Sequence, residues 1–411
     1  MRNSKSVKLE KCINRIFKEM DKVHYSTETI KLYRRTYNRL FVLAKKMNKT
    51  LFDDELAQAF IEDSLNQKTG KYCHSRFLLH SRCINFLQTL IKNGSVDWLC
   101  HYKSHKKIEI ATEQFNQAFK AFNLFMIERD LSHNTIDGYK RFVYYFIRYC
   151  EDKEYTKLEE IELFEIVNFL ELMCQEHYQP TSIGAHLPGL KLFLSLNNHT
   201  NKMMEKINFP LLKKSEIIPI ITEKEYKKLT IYLSSGALSS RNTAICWLSL
   251  EVGLRAVDIC NLKLKDIDWK NNFIHISQQK TNKSYEIPLR ITYGNAIMDY
   301  LINERPISDS VYLFLIKNAP FHPIKTHAAC YEILRSAFHK AGILKANQIC
   351  GTRFTRHIAA SHMLRKGISL IEISALLGHS NPNSASIYIT TDEDILSSCT
   401  LPLPGKIKEE I

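Results

Sequence analysis

Five residues in the C-terminal half of the chain could together cleave a phosphodiester: Arg255, Lys280, Arg356, His379 and Tyr388. The nonbridging oxygens of a phosphate under attack gain charge, and arginine forks grip them bidentately. A nucleophile must stand opposite the leaving 5′ oxygen, and a proton donor must meet that oxygen. A tyrosine suits an enzyme that must hold the cut strand, because the phosphotyrosine linkage conserves the bond energy and resealing needs no ATP. Two arginines, a lysine, a histidine and a tyrosine supply this set without a metal. Each residue also has a plainer reading. Arg255 can pair with Asp258, three residues on, to support a helix. Lys280 lies near Lys283 in ISQQKTNKS, and hairpin lysines commonly face water. Tyr388, in HSNPNSASIYI, is one of 19 tyrosines. Spacing alone does not say that the five meet in space.

Composition sets the frame around them. A chain of 411 residues exceeds one ordinary core, so roughly two to four domains are expected. The 57 Lys and Arg outnumber the 43 Asp and Glu, and the resulting +14 favours an anionic partner, nucleic acid or a membrane surface. The 11 cysteines are odd in number and form no CxxC pair or close Cys/His cluster, which argues against a disulfide scaffold and a structural zinc site. Free thiols in a reducing, cytoplasmic setting fit best. MRNSKSVKLEKC lacks the apolar core of a signal peptide, and no apolar run approaches about 18 residues, so no membrane span is expected. GxGxxG, GxxxxGK[ST] and HExxH are absent from the sequence, which removes the usual support for nucleotide-fold and zincin readings. Neither a cofactor nor a metal is called for.

The elements that must position the five residues read as follows. TEKE (222–225) is a capping box that opens a helix over 223–234, and the apolar stretch TAICWLSLEVGL within 240–262 calls for a buried helix. FIHIS (273–277) and YEIPLR (285–290), joined by a polar, basic connection, form a hairpin pattern. Helices follow at about 292–304, 325–341 and 353–366, the last ending near Gly367. SLIE (369–372) is a second capping box, for a short helix that ends at Leu377–Gly378. Further upstream, an internal echo relates 25–54 to 131–160: Ser26, Thr29, Ile30 and Tyr33 match Ser132, Thr135, Ile136 and Tyr139 at an offset of 106. Two amphipathic helical modules are expected there. The prolines at 210 and 219 mark an extended linker between them and the C-terminal part.

The order of pieces resembles the tyrosine recombinases, the phage-integrase family of DNA strand-exchange enzymes. GLRAVDICNLKLKDID (253–268), the lysine-bearing hairpin, TRHIAASHMLRKG (355–367), LLGHS (376–380) and a tyrosine nine residues after its histidine carry the resemblance, close over about 218–392. It implies a multidomain, mainly α fold: helical N-terminal DNA-binding modules, then a mixed α+β catalytic domain with a small antiparallel sheet. The expected division is 1–105 an N-terminal helical module, 106–205 a helical core-binding domain, 206–217 a linker, 218–395 the catalytic domain and 396–411 a tail.

By the same resemblance, Arg255 and Arg356 clamp the scissile phosphate and Lys280 protonates the leaving 5′ hydroxyl. His379 hydrogen-bonds the phosphate, and Tyr388 attacks to form a 3′-phosphotyrosyl intermediate. Asp258 and His357 match supporting positions. One position departs from the family pattern. HxxR is usual before the second arginine, and here the stretch is RFTR, so Arg353 replaces the histidine. An arginine holds phosphate but is a poor proton shuttle at neutral pH, and its charge favours the phenolate instead. Lys31, Arg34 and Arg35 in the first module, Lys140 and Arg141 in the second and Lys283 in the hairpin are candidate phosphate contacts. The partners implied are double-stranded DNA, a homotetramer on paired sites, and accessory DNA-bending or directionality proteins. The role implied is integration or excision of a mobile element. A fold-sharing regulator without chemistry and a type IB-like topoisomerase are the alternatives.

Overall fold

A computed structural model describes residues 9–65, 69–98, 110–206, 221–278, 284–324, 327–343 and 351–378. Cα packing divides the chain into two compact units, Met1–Tyr102 with Ile217–Ile411, and Lys103–Glu216. Within the described residues, each of the three expected regions encloses an apolar core of its own.

The first region holds α1 (Leu9–Lys22), α2 (Thr27–Lys46), α3 (Asp54–Glu62) and α4 (His74–Asn93). Their apolar faces close around Ile16, Tyr37, Leu40, Phe60 and Phe86. The second holds α5 (Glu113–Glu128), α6 (His133–Asp152), α7 (Leu163–Glu176), α8 (Pro180–Leu194) and α9 (Asn198–Lys206) around Phe122, Phe142, Phe146, Phe169 and Phe193. The sequence echo has a physical basis at the caps. Ser26 and Ser132 each accept from the backbone N–H three residues on, at 3.3 Å, and each hydroxyl meets the hydroxyl of that threonine at 2.8 Å. The same local motif thus starts both long helices.

The third region begins with α10 (Glu223–Ser234), whose Thr222/Glu225 capping box is formed in both directions. The apolar stretch TAICWLSLEVGL (243–254) is buried in a helix as expected, but that helix changes type before it ends. The helix α11 (Ser240–Trp247) runs into a wider π-type turn at Leu248–Val252, Gly253 takes a left-handed backbone with φ 70°, and a new helix α12 (Ala256–Asn261) starts after Arg255. The glycine ends the first helix by its positive φ, and that break brings Arg255 to a helix start. The hairpin forms as expected, with β2 (Phe273–Ser277) and β3 (Ser284–Pro288) antiparallel and Ile274 facing Ile287. A third strand, β1 (Ile267–Asp268), extends the sheet to the order β1-β2-β3. Then come α13 (Ile291–Asp299), continued by a wide turn at Tyr300–Glu304, α14 (His327–Lys340), α15 (Thr352–Arg365) and α16 (Leu370–Leu376). The Ser369/Glu372 capping box is present at the last of these. Ile245, Leu250, Ile274, Ile276, Phe314 and Phe338 lie at the centre of this core.

Candidate active site

Arg255 is the last residue before α12, with extended backbone (φ −70°, ψ 148°). Its carbonyl accepts from the N–H groups of Asp258 and Ile259 at 3.0 Å, which starts the helix. Its side chain is 22% exposed, and Nη1 lies 3.9 Å from Oδ2 of the fully buried Asp258. That separation is an ion pair at the limit of contact, not a hydrogen bond. Among the described residues nothing accepts a hydrogen bond from this buried Nη1. The plain reading of Arg255 as a helix-stabilising partner of Asp258 therefore accounts for only part of the guanidinium.

Arg356 comes from α15, about a hundred residues later in the chain, and is buried. Its Nη1 donates to the Gly253 carbonyl at 2.9 Å, and its Nη2 donates to the Leu377 carbonyl at the end of α16. The arginine is thus clamped between the loop that carries Arg255 and the helix end that leads to His379. Two further contacts hold α15 there: Thr352 Oγ1 accepts from the Ala256 N–H at 3.2 Å, and the Ser249 and Thr355 hydroxyls meet at 2.5 Å. Gly253 is pressed by the same assembly, since a Cβ there would lie 2.9 Å from Leu377 Cδ2 and 3.2 Å from Ala359 Cβ. Gly253→Ala is expected to destabilise the fold by about 1–3 kcal/mol, through left-handed strain plus that clash. Urea unfolding that leaves the variant as stable as the parent would refute this account of the loop.

His357 follows Arg356 and is buried beside it. Burial, then the charges of Arg353 and Arg356, push its pKa down to about 4. The imidazole is accordingly neutral at pH 7. Arg353 itself is exposed, one turn earlier on α15. The depressed value makes stability pH-dependent. In the unfolded chain the ring titrates near 6.5, so between about 6.5 and 4 the unfolded state binds a proton that the fold refuses. The contribution is full above that window and is lost as pH falls through it, roughly 2 kcal/mol between pH 7.5 and 5. His357→Asn should remove that part of the pH dependence in urea unfolding. An equal loss in both proteins would assign the acid sensitivity elsewhere.

Two residues of this cluster carried no sequence motif. Gln278, just past β2, is 2% exposed, and its Nε2 donates to Tyr285 Oη at 3.2 Å and to the Leu377 carbonyl at 2.9 Å. Tyr285 on β3 has a raised pKa, from burial first, with Arg356, Asp258 and Arg255 all within electrostatic reach. Strand alternation was the available signal. Ile274 and Ile276 point inward, so Gln278 continues the inward phase with a polar side chain. The described cluster is cationic, with Arg255, Arg353 and Arg356 against Asp258. It suits an anion, and Arg255 supplies a buried donor for it.

The expectations for Lys280, Lys283, His379 and Tyr388, and for the linker and tail, fall outside the described residues. In the first region Lys31 pairs with Glu28 at 2.8 Å, Arg34 lies over the Phe17 ring at 4.8 Å, and Arg35 is exposed. A groove of about 820 Å³ on the other flank of α2, against α4, is lined by Arg39, Arg76 and Arg82. In the second region Arg141 is exposed and Lys140 half-buried. Among the described residues no helix is long and apolar enough to cross a membrane.

Comparison with known proteins settles the lineage. Residues 219–394 match the model of the phage integrase family. The putative integrase/recombinase y4gC of Sinorhizobium fredii is 32% identical over 165 residues, which span 40% of this chain and 84% of that protein. The chain belongs to the phage integrase family, the tyrosine recombinases. The tyrosine recombinase XerD of Listeria monocytogenes is 29% identical to this integrase-family chain over 273 residues, 64% of the chain and 90% of XerD. Of the putative integrase/recombinase y4rF from S. fredii, 29% identical, the chain spans about half the length, 53%. A solved structure of the XerH site-specific recombinase bound to a palindromic difH substrate, in a post-cleavage complex, shares the fold. It has a TM-score of 0.54 at 17% identity, over 83% of this chain and 91% of that one.

Proposed function

We propose that this tyrosine recombinase is a site-specific DNA recombinase that cuts and rejoins duplex DNA through a 3′-phosphotyrosyl intermediate, in the integration or excision of a mobile element. The observation that carries the reading is the convergence of Arg255 and Arg356 on one loop. Arg356 is bonded to Gly253, Arg255 stands two residues further on, and Tyr285 senses the charge of both. Two guanidinium groups held this way match the nonbridging oxygens of one phosphate.

In this reading Tyr388 Oη attacks phosphorus as its phenolic proton passes to water, the P–O5′ bond breaks, and the leaving oxygen takes a proton from Lys280. His379 hydrogen-bonds the phosphate, and the buried carboxylate of Asp258 aligns Arg255. His357, neutral at pH 7, adds no charge beside Arg356. Arg353 stands where the family has a histidine. It accepts no proton at neutral pH, and its positive field lowers the cost of the phenolate. A 5′ hydroxyl then attacks the phosphotyrosine, and the strand is rejoined without ATP because the linkage conserved the bond energy. The partners in this proposal are duplex DNA, three further copies of the chain on paired sites, and DNA-bending or directionality proteins. Its domain plan is the division into 1–105, 106–205, 206–217, 218–395 and 396–411. The extra N-terminal helical module supports the mobile-element role.

The deciding experiment incubates purified protein with nicked suicide duplexes drawn from the DNA flanking its own coding sequence, followed by a denaturing gel. A covalent protein–DNA adduct is expected. Tight duplex binding without an adduct would favour a fold-sharing regulator, and relaxation of supercoils on arbitrary DNA would favour a topoisomerase.

A further inference from the structure

The Leu377 carbonyl accepts two side-chain donors, Arg356 Nη2 and Gln278 Nε2. A carbonyl oxygen has two lone pairs, so this pair fills it. Gln278, Arg356 and Leu377 are all buried, so a lost hydrogen bond there is not replaced by bulk water. The contact is close enough to dictate the next residue. Gly378 has φ 63°, and a Cβ there would fall inside the Gln278 side-chain amide. Gln278 is also braced from its own sheet by Tyr285 Oη at 3.2 Å. The chain places Gln278 two residues before Lys280, and Leu377 two residues before His379. One side-chain amide thus ties the end of β2 to the end of α16 at the carbonyl that anchors Arg356.

We infer that Gln278 is a positioning residue for strand cleavage: by holding the Leu377 carbonyl it fixes the guanidinium of Arg356 in the orientation that meets the scissile phosphate. The inference rests on the recombinase reading above. The mechanism is geometric. With the second donor gone, the 377–378 peptide loses a restraint and so does the Nη2 arm bonded to it. A guanidinium displaced by about 1 Å from a developing charge costs on the order of 10²-fold in rate. Gln278 acts here through the Leu377 carbonyl, and the proposed role leaves duplex affinity unchanged.

The test uses the full chain and proceeds in two steps. Wild-type protein is first trapped on nicked duplexes from the DNA flanking its coding sequence, and the adduct maps the scissile position. Cleavage rates of wild type, Gln278→Leu and Gln278→Met are then measured on two duplexes, one with an ordinary phosphate and one with a methylphosphonate at that position. A methylphosphonate lacks the negative charge that a guanidinium compensates, so a defect transmitted through Arg356 shrinks on it. A defect in folding or DNA binding keeps its size on both. The expected result is cleavage about 10²-fold slower for both variants on phosphate. On methylphosphonate they should come within about threefold of wild type. Fluorescence anisotropy should show unchanged duplex affinity. Wild-type-like rates on phosphate would overturn the inference, as would the same slowing on both substrates. If neither variant folds, Gln278 is a stability residue and the positioning role is refuted. An absent wild-type adduct would instead strike the recombinase reading itself, a result distinct from any of these.

Discussion

Tyr388→Phe is expected to abolish the covalent protein–DNA adduct, with a loss of about 10⁴-fold or more. The substitution keeps the ring and its volume and removes only the hydroxyl. In the proposed mechanism duplex binding rests on cationic contacts to phosphates and should persist, with the steep salt dependence such contacts give. The contrast between lost adduct and retained binding separates a missing nucleophile from a misfolded protein. Tyr388 is chosen over the other 18 tyrosines by sequence position alone, nine residues after the histidine of LLGHS. An adduct that survives in Tyr388→Phe would place the nucleophile elsewhere and break the proposed mechanism.

Arg356→Lys should cost about 10²–10³-fold in cleavage, the usual toll for removing one preorganised donor from a developing oxyanion. The charge is conserved, so a purely Coulombic role predicts far less. The geometry predicts the larger value. The guanidinium spans two carbonyls, those of Gly253 and Leu377, whereas an ammonium on a flexible stem has no planar fork to hold both and still face a phosphate. One buried carbonyl left without its donor costs about 1–3 kcal/mol, so the variant should also unfold at lower denaturant. Measuring cleavage well below the unfolding midpoint separates the two effects. A lysine variant that cleaves at the parent rate would show that Arg356 is structural only.

Local signals in the sequence were reliable because their physics is local. The capping boxes at Thr222/Glu225 and Ser369/Glu372 and the paired caps at Ser26 and Ser132 are bonds between residues three apart, so the chain declares them by spacing. The β2–β3 hairpin follows from alternating Ile and polar residues around a polar connection. The ordered motifs likewise placed the chain in its family. The π-type turn at 248–252 was hidden, because an apolar run looks the same whichever kind of helical turn buries it. The short β1 strand was hidden as well, since two residues show no period.

The sequence by itself determined the helical modules, the hairpin, the family and the order of candidate catalytic residues. Each of these depends on residue type at short spacing. Only the tertiary structure decided that Arg356 reaches back 103 residues to Gly253, that Gln278 reaches forward 99 residues to Leu377, and that His357 is buried between cations and stays neutral. Those facts depend on where separate elements pack and on how far water is excluded between them, and neither is encoded in any one stretch of chain.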